Sequence, residues 1–515
     1  MLFNSFEFIF LFLPITVLVY YALAKRGAIE LALIFLLAAS LYFYGYWNRV
    51  YLVLIVASII INFFLGRKIG LATNKRRKTW LVAGVVLNLG LLGYYKYFNF
   101  FISNINAVLD VGWNTEKIIL PLAISFFTFQ QISYLVDAYN NKCKEYNFLH
   151  YSLFVCFFPQ LIAGPIVHHK EMLPQFFQKE NLSPKLINFA VGISIFALGF
   201  FKKTVIADNL SVYVGPTFDT QIQVDLIQAW GASLAYTFQL YFDFSGYSDM
   251  AIGCARLFGI TLPVNFFSPY KSTSIVEFWR RWHITLSRFL RDYLYIALGG
   301  NKKGSFQRYR NLFLTMLLGG LWHGAGWTFV IWGMLHGIYL VINHAWRWLL
   351  NMLKWAPTSR LYLSFSWLTT FIAVVFSWVY FRAPSLQRAN DIVLAMLGSN
   401  GATIPSGIAY RLGELRHTLA EVGVNVGQGS GSLLMGNTIW VLIAAAIALL
   451  LPNAAQMFDR QNGVLFEKPG AFSMQNPVLN IIWQPSLKWS VGTACLLAAG
   501  MLTLGQISEF LYFQF

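Results

Sequence analysis

Long apolar runs separated by short polar turns recur from residue 5 to residue 507. About 20 apolar residues in a helix rising roughly 1.5 Å each cross the ~30 Å of hydrocarbon in a bilayer. The pattern predicts spans at 5–24, 29–47, 50–66, 80–100 and 118–139, and again near 361–382, 437–452 and 487–507. Gly/Ser/Asn-containing loops at 397–436 and 453–486 separate the last three. Between 150 and 335 the pattern is less regular, so the expected total is about 11–14 membrane segments. FPQLIAGPI (158–166) is apolar but carries Pro159, Gly164 and Pro165. Such breaks at membrane depth are tolerated only inside protein or against a water-filled cavity, and they predict a re-entrant segment. QLYFDFSGYSDMAIG (239–253), with Asp243 and Asp249 around Ser245 and Gly246, predicts a second one.

Composition excludes the soluble alternatives. The 515 residues are 57% hydrophobic, 17% aromatic and 11% charged, with a mean hydropathy of +0.56. A soluble chain carries about 25% charged residues. The reading is a single polytopic all-α membrane domain over 1–515, motif-rich at about 120–345, with peripheral spans and loops at 346–515. The first apolar run has neither a basic leader nor a small-residue cleavage site, so it reads as a retained span.

Lys and Arg number 38 against 21 Asp and Glu, for a formal charge of +17. The basic residues sit in short turns, notably Lys25–Arg26, residues 67–78, and Lys142 with Lys144. Basic turns stay on the cytoplasmic side, which predicts an external N-terminus. No Arg stripe interleaved with exposed aromatics appears, so nucleic-acid binding is not expected. Cys143, Cys156, Cys254 and Cys495 show no paired spacing, and neither a disulfide framework nor a zinc site is indicated.

Three constellations could carry chemistry. From Ser274 to Asp292, laid on one helix at about 100° per residue, Glu277, Arg280, Arg281, His283, Ser287, Arg288, Arg291 and Asp292 share a half-circle. Phe278, Trp282, Leu286, Phe289 and Tyr293 take the other. This reads either as a membrane-surface anchor or as an anion site, since Arg grips phosphate bidentately. In LLGGLWHGAGWTFVIWGMLHG (317–337), His323 lies among Gly319, Gly320, Gly324 and Gly326. A histidine in an apolar run must face protein, water or a partner, and imidazole is a natural general base. His336 follows thirteen residues later, about 220° away on an unbroken helix, and reads equally as a structural residue. Asp243 and Asp249 read as structural in preference to an acid–base or ion relay. His168, His169 and His344 lie near span ends with no ligand-spaced partner. No nucleophile elbow, Walker loop or Rossmann fingerprint is present in usable context.

These stretches resemble the membrane-bound O-acyltransferase family, in its bacterial alginate O-acetyltransferase branch. The resemblance is carried by SFFTFQQISYLVDAY (125–139), FPQLIAGPIV (158–167), YFDFSGYSDMAIG (241–253), EFWRRWHITLSRFLRDYLYIALGGN (277–301), GGLWHGAGWTFVIWGMLHG (319–337), SWVYFRA (377–383) and the closing LYFQF. It implies a many-helix body around a tunnel. His323 matches the family's catalytic histidine, and His283 matches its second, more variable polar position. It further implies acetyl-CoA as donor, with no tightly bound cofactor and no metal. Arg280, Arg281, Arg288 and Arg291 are the expected coenzyme contacts.

An exported polysaccharide is the implied acceptor, reached with an extracytoplasmic esterase-like transferase as partner. Alginate and cellulose fit that outline. Peptidoglycan O-acetylation and D-alanylation of teichoic acid are alternatives on the same fold, and a transporter using Asp243 and Asp249 is the alternative of another class.

Overall fold

In hydrocarbon every backbone N–H and C=O must be satisfied within the protein, which leaves helices as the economical solution for apolar runs. The computed structural model describes residues 1–72, 75–113, 116, 118–142, 147–461, 463–464, 479, 481–505 and 510–511. Cys143, Lys144 and the last four residues of the closing LYFQF lie outside the described residues.

The first part holds α1 (Glu7–Lys25), α2 (Ile29–Gly45), α3 (Arg49–Leu71), α4 (Lys75–Leu109) and α5 (Ile124–Tyr139). Asn48 caps α3 by accepting from the Val50 N–H, an ordinary N-cap contact. Next come α6 (Phe148–Cys156), α7 (Phe158–Leu161) and α8 (His169–Phe176), then the long α9 (Leu186–Ser211) and α10 (Leu226–Leu257). Two short helices, α11 (Ile275–Arg281) and α12 (Ile284–Phe289), precede the hairpin of α13 (Ser305–His323) and α14 (Trp327–Met352). The remainder is α15 (Arg360–Arg382), α16 (Leu386–Met396), α17 (Ser432–Leu450) and α18 (Leu487–Leu502). Between α16 and α17, β1 (Ala402–Pro405) pairs in parallel with β2 (Val424–Gly427).

Seven of these helices are long and apolar enough to cross a membrane: α1, α3, α4, α9, α14, α15 and α17; α2 and α18 are shorter apolar helices. Leu18, Val53, Val86 and Leu186 are among the large apolar side chains left on the outside, where lipid is their natural solvent. The chain is thus an all-α, multi-pass membrane protein. Nearly all of α5 is buried, packed between α3, α4 and the central helices. Arg77, at the start of α4, donates to the Ala138 carbonyl at 2.7 Å and to Asn141 Oδ1 at 2.6 Å. Two of the basic turns therefore share one end of the body.

The expected break at Ser245–Gly246 is not there. α10 runs unbroken for 32 residues, and its two carboxylates are ion-paired within the body. Lys203 Nζ lies 2.7 Å from Asp243 Oδ1, and Lys202 Nζ lies 2.6 Å from Asp249 Oδ2. Gly246 serves close packing: a Cβ there would stand 2.7 Å from the Gly199 carbonyl of α9, and one at Gly253 would stand 2.6 Å from that of Gly192. Paired charge and missing side chains explain both features that read as a breaker. FPQLIAGPI, by contrast, is irregular beyond the single turn of α7 and wholly buried. Its backbone is satisfied by neighbours, with Ile166 N–H donating to Thr285 Oγ1 at 3.0 Å and Phe158 N–H to Ser40 Oγ at 3.2 Å.

Removing one partner of a buried ion pair strands the other charge, at a cost of about 3–5 kcal/mol. Asp249→Ala should lower the thermal midpoint of the detergent-solubilised protein sharply. Lys202→Met combined with Asp249→Leu should recover most of that loss. A double variant no better than the single would show that the pair is not what holds α9 to α10.

Candidate active site

α13 stops at His323 because Gly324 turns to extended backbone (φ −157°, ψ 149°) and Gly326 begins α14 in a similar conformation. The hairpin closes tightly. A Cβ on Gly320 would overlap the Phe329 carbonyl and lie 2.8 Å from Gly333 Cα, and a Cβ on Gly324 would overlap the Phe329 ring. His323 is buried, and Trp322, Trp332 and Phe381 rings stand around its imidazole with centroids at 5.0, 5.0 and 5.3 Å. Such a dry aromatic cage keeps bulk water from competing for a reactive group.

His283 sits just across Trp322, its ring centroid 6.5 Å from the indole. The continuous amphipathic helix expected over 274–292 is interrupted here: His283 adopts a left-handed conformation (φ 43°), between α11 and α12. The turn is held by Asn265. Its backbone carbonyl accepts from Ile284 N–H at 2.9 Å, and its Oδ1 accepts from Thr285 Oγ1 at 2.9 Å. His283 Nδ1 lies 3.1 Å from the same Oδ1. An amide oxygen only accepts, so Nδ1 carries the proton and Nε2 keeps the lone pair.

His336 is tied differently. Its Nδ1 accepts from Trp279 Nε1–H at 3.2 Å, which places the proton on Nε2, facing Ser377 Oγ at 3.0 Å. Ser377 passes its own proton to the Val374 carbonyl at 2.7 Å. Both ring nitrogens are thus engaged in a structural chain. The hairpin also brings His336 nearer to His323 than one continuous helix would, since both pack on Trp332, at 4.8 and 5.0 Å.

The four arginines do not share a face. Arg281 is buried, paired with Glu277 at 2.7 Å, and Arg288 is buried in a two-pronged bond to Glu171 at 2.7 and 2.8 Å. Arg280 and Arg291 are exposed, Arg291 lying 2.7 Å from the neighbouring Asp292. A cavity of about 490 Å³ is lined by Trp279, Arg280, Arg288, Arg291, Leu340 and His344, among others; Arg281 is not part of its wall. A further space of about 220 Å³ shares Trp279, Arg291 and His344 and adds Arg308. The Trp279 ring closes the inner wall and touches Trp332 at 5.9 Å. Two indole rings therefore separate the arginine-lined cavity from His323.

On the other side of His323 is a much smaller cavity of about 30 Å³, lined by Lys96, residues 120–126, Ile162, Trp322 and His323. Residues 120–123 lead into α5 and 124–126 open it, at the opposite end of that helix from the basic turn at Asn141. Of FPQLIAGPI, Ile162 lines this cavity; DFSGYSD contributes no wall to it. Lys96 and Asn265 were not singled out in the sequence. Among the described residues no cluster of His, Cys, Asp or Glu has the makings of a metal site.

Two substitutions separate the roles in the hairpin. Gly324→Leu must displace the Phe329 ring, which packs on Phe381 of the cage at 5.2 Å, and should abolish the acyl transfer expected of His323. His336→Ala leaves two buried partners unsatisfied, at about 1–3 kcal/mol each. It should lower the thermal midpoint while reducing transfer per folded molecule less than about 10-fold. Fluorescence-monitored melting and acetyl transfer on the same preparations check both.

Residues 136–383 match the family described as MBOAT, membrane-bound O-acyltransferase family. Among characterised relatives, the chain is 47% identical over 431 residues to a peptidoglycan O-acetyltransferase of Helicobacter pylori, covering 78% of this chain and 81% of that protein. It is 38% identical over 532 aligned positions to a probable alginate O-acetylase AlgI of Azotobacter vinelandii, with 100% of both chains covered. It is 30% identical over 243 residues to a teichoic acid D-alanyltransferase of Streptococcus thermophilus, covering 45% of this chain and 59% of that one. The matched segment begins in α5, takes in α13 and the cage, and ends just past Phe381. The chain belongs to the membrane-bound O-acyltransferase family, and it is an acyltransferase.

Proposed function

We propose that the protein moves acetyl groups from cytoplasmic acetyl-CoA through its centre to hydroxyls of an exported polysaccharide. The observation that carries this reading is the position of His323 between two unequal cavities. The large one has arginines at its rim and suits a phosphate-rich nucleotide. The small one, about 30 Å³, has room for about one water-sized group, the scale of a hydroxyl or a methyl. The nucleotide of acetyl-CoA cannot enter hydrocarbon, whereas its slender acyl-thioester arm is the part that reaches in toward His323.

Arg280 and Arg291 are the residues placed to meet the coenzyme phosphates. Arg288, fixed by Glu171, shapes the cavity wall, and Arg281 supports α11 through Glu277. His323 takes the acceptor hydroxyl proton as its oxygen attacks the acetyl carbonyl. The carbon–sulfur bond then breaks, and the proton ends on the departing CoA sulfur. His283, with its lone pair on Nε2, is a second acceptor for that proton.

The basic turns support a cytoplasmic end at Arg77 and an external N-terminus, in a bacterial inner membrane. Alginate or a similar exopolysaccharide is the acceptor supported by the relative that matches end to end. A second reading, peptidoglycan, is supported by the relative with 47% identity. An extracytoplasmic esterase-like transferase is the proposed partner that completes delivery.

Loss of a general base lowers rate about 10²–10⁴-fold. His323→Ala should reduce transfer of labelled acetyl groups from acetyl-CoA into isolated polymer by that factor while leaving membrane insertion unchanged. Near wild-type labelling would refute the assignment. Comparing ester content of exopolysaccharide and peptidoglycan from deletion and complemented cells identifies the acceptor.

Arg280→Gln should raise the Michaelis constant for acetyl-CoA more than it lowers turnover. An unchanged constant would remove Arg280 from the coenzyme site.

A further inference from the structure

A helix end inside a membrane protein presents carbonyls with no partner in their own helix. Glycine often solves this by turning left-handed and folding its N–H back onto the last turn. α13 does not use that device, because Gly324 is extended. Its terminal carbonyls are instead held from α4. Tyr97 donates its hydroxyl to the Leu321 carbonyl at 2.8 Å. Lys96 Nζ reaches the Trp322 carbonyl at 2.5 Å and the His323 carbonyl at 3.0 Å. Three successive carbonyls, ending on His323 itself, are capped by two successive residues of another helix.

Local geometry explains how adjacent residues can do this. Gly93–Tyr97 is a π-helical turn within α4, a feature that recurs at functional sites. The third contact of Lys96 is Ser125 Oγ at 3.3 Å, in the first turn of α5. From this turn one lysine side chain reaches both carbonyls and the Ser125 hydroxyl at once. Lys202 and Lys203, the other buried lysines among the described residues, face carboxylates. All three acceptors of Lys96 are neutral, and it lines the small cavity beside His323.

We propose that Lys96 is a positioning residue for acyl transfer. Its ammonium fixes the last turn of α13, with Tyr97 as auxiliary, so that the His323 imidazole stays aimed between the two cavities. The inference rests on the proposed role of His323. Its signature is selective: the arginine-lined cavity lies on the far side of Trp279 and Trp332, so coenzyme binding should not register the change.

The test uses the full chain in membrane vesicles supplied with acetyl-CoA, reading CoA thiol release and acetyl ester on the polymer. Lys96→Met keeps length and loses the donors. Turnover should fall at least ~10-fold with the Michaelis constant for acetyl-CoA within about 2-fold of wild type. Tyr97→Phe should show the same pattern more weakly, about 2–5-fold. In Lys96→Ala, added methylammonium or propylammonium should restore part of the turnover, a recovery that a general loss of packing would not show.

Wild-type turnover in Lys96→Met overturns the proposal. So does a fall matched by a rising Michaelis constant and a loss of folded protein. If Lys96→Met does not insert, Tyr97→Phe decides: unchanged turnover overturns the proposal and a turnover-only loss supports it. His323→Ala measured alongside separates the two claims. An active His323→Ala removes the site assignment, whereas an inactive His323→Ala beside a fully active Lys96→Met removes only the role of Lys96.

Discussion

The arrangement depends on a helix that ends in the interior. α13 brings its final residue, His323, to a point where water is scarce, and every carbonyl freed there must find a donor. The donors come from α4, one π turn out of regular register. α4 is in turn packed against α3 and α5. The histidine is therefore referenced to the N-terminal helices as well as to its own hairpin, and the small cavity forms along the seam.

Aromatic packing supplies the second constraint. Trp322, Trp332 and Phe381 come from three helices and meet at His323. Trp279 and Trp332 form the partition toward the arginine-lined cavity. Indoles suit this task because they bury large apolar area and carry one polar hydrogen that must be placed. Trp279 places its own on His336. Trp279 is thus pinned in orientation as well as packed.

Much of this was legible in the residues. The glycines around His323 signalled a close approach, and the break in α13–α14 follows from them. The RRWH stretch was recognisable as polar, but periodicity alone could not show that His283 turns left-handed and divides it. The turn is dictated by Asn265, eighteen residues earlier, through a contact that no local pattern encodes. DFSGYSD misled for a related reason. Its aspartates looked expensive in hydrocarbon because Lys202 and Lys203, their partners, sit on another helix. Lys96 carried no signal in the sequence, and only the structure, with its π turn in α4, shows that it is buried.

The contact between Gly320 and Gly333 has a mechanical consequence. Two backbones meeting without side chains have no rotamers through which to loosen, so α13 and α14 behave as one stiff strut. The arginine-lined cavity is then bounded by whatever leans on the strut. The short α11 and α12 stand against it, joined at the left-handed His283 and bearing Trp279, Arg280 and Arg288. Those three side chains of the cavity wall are thus carried by two short helices, apart from the strut they lean on.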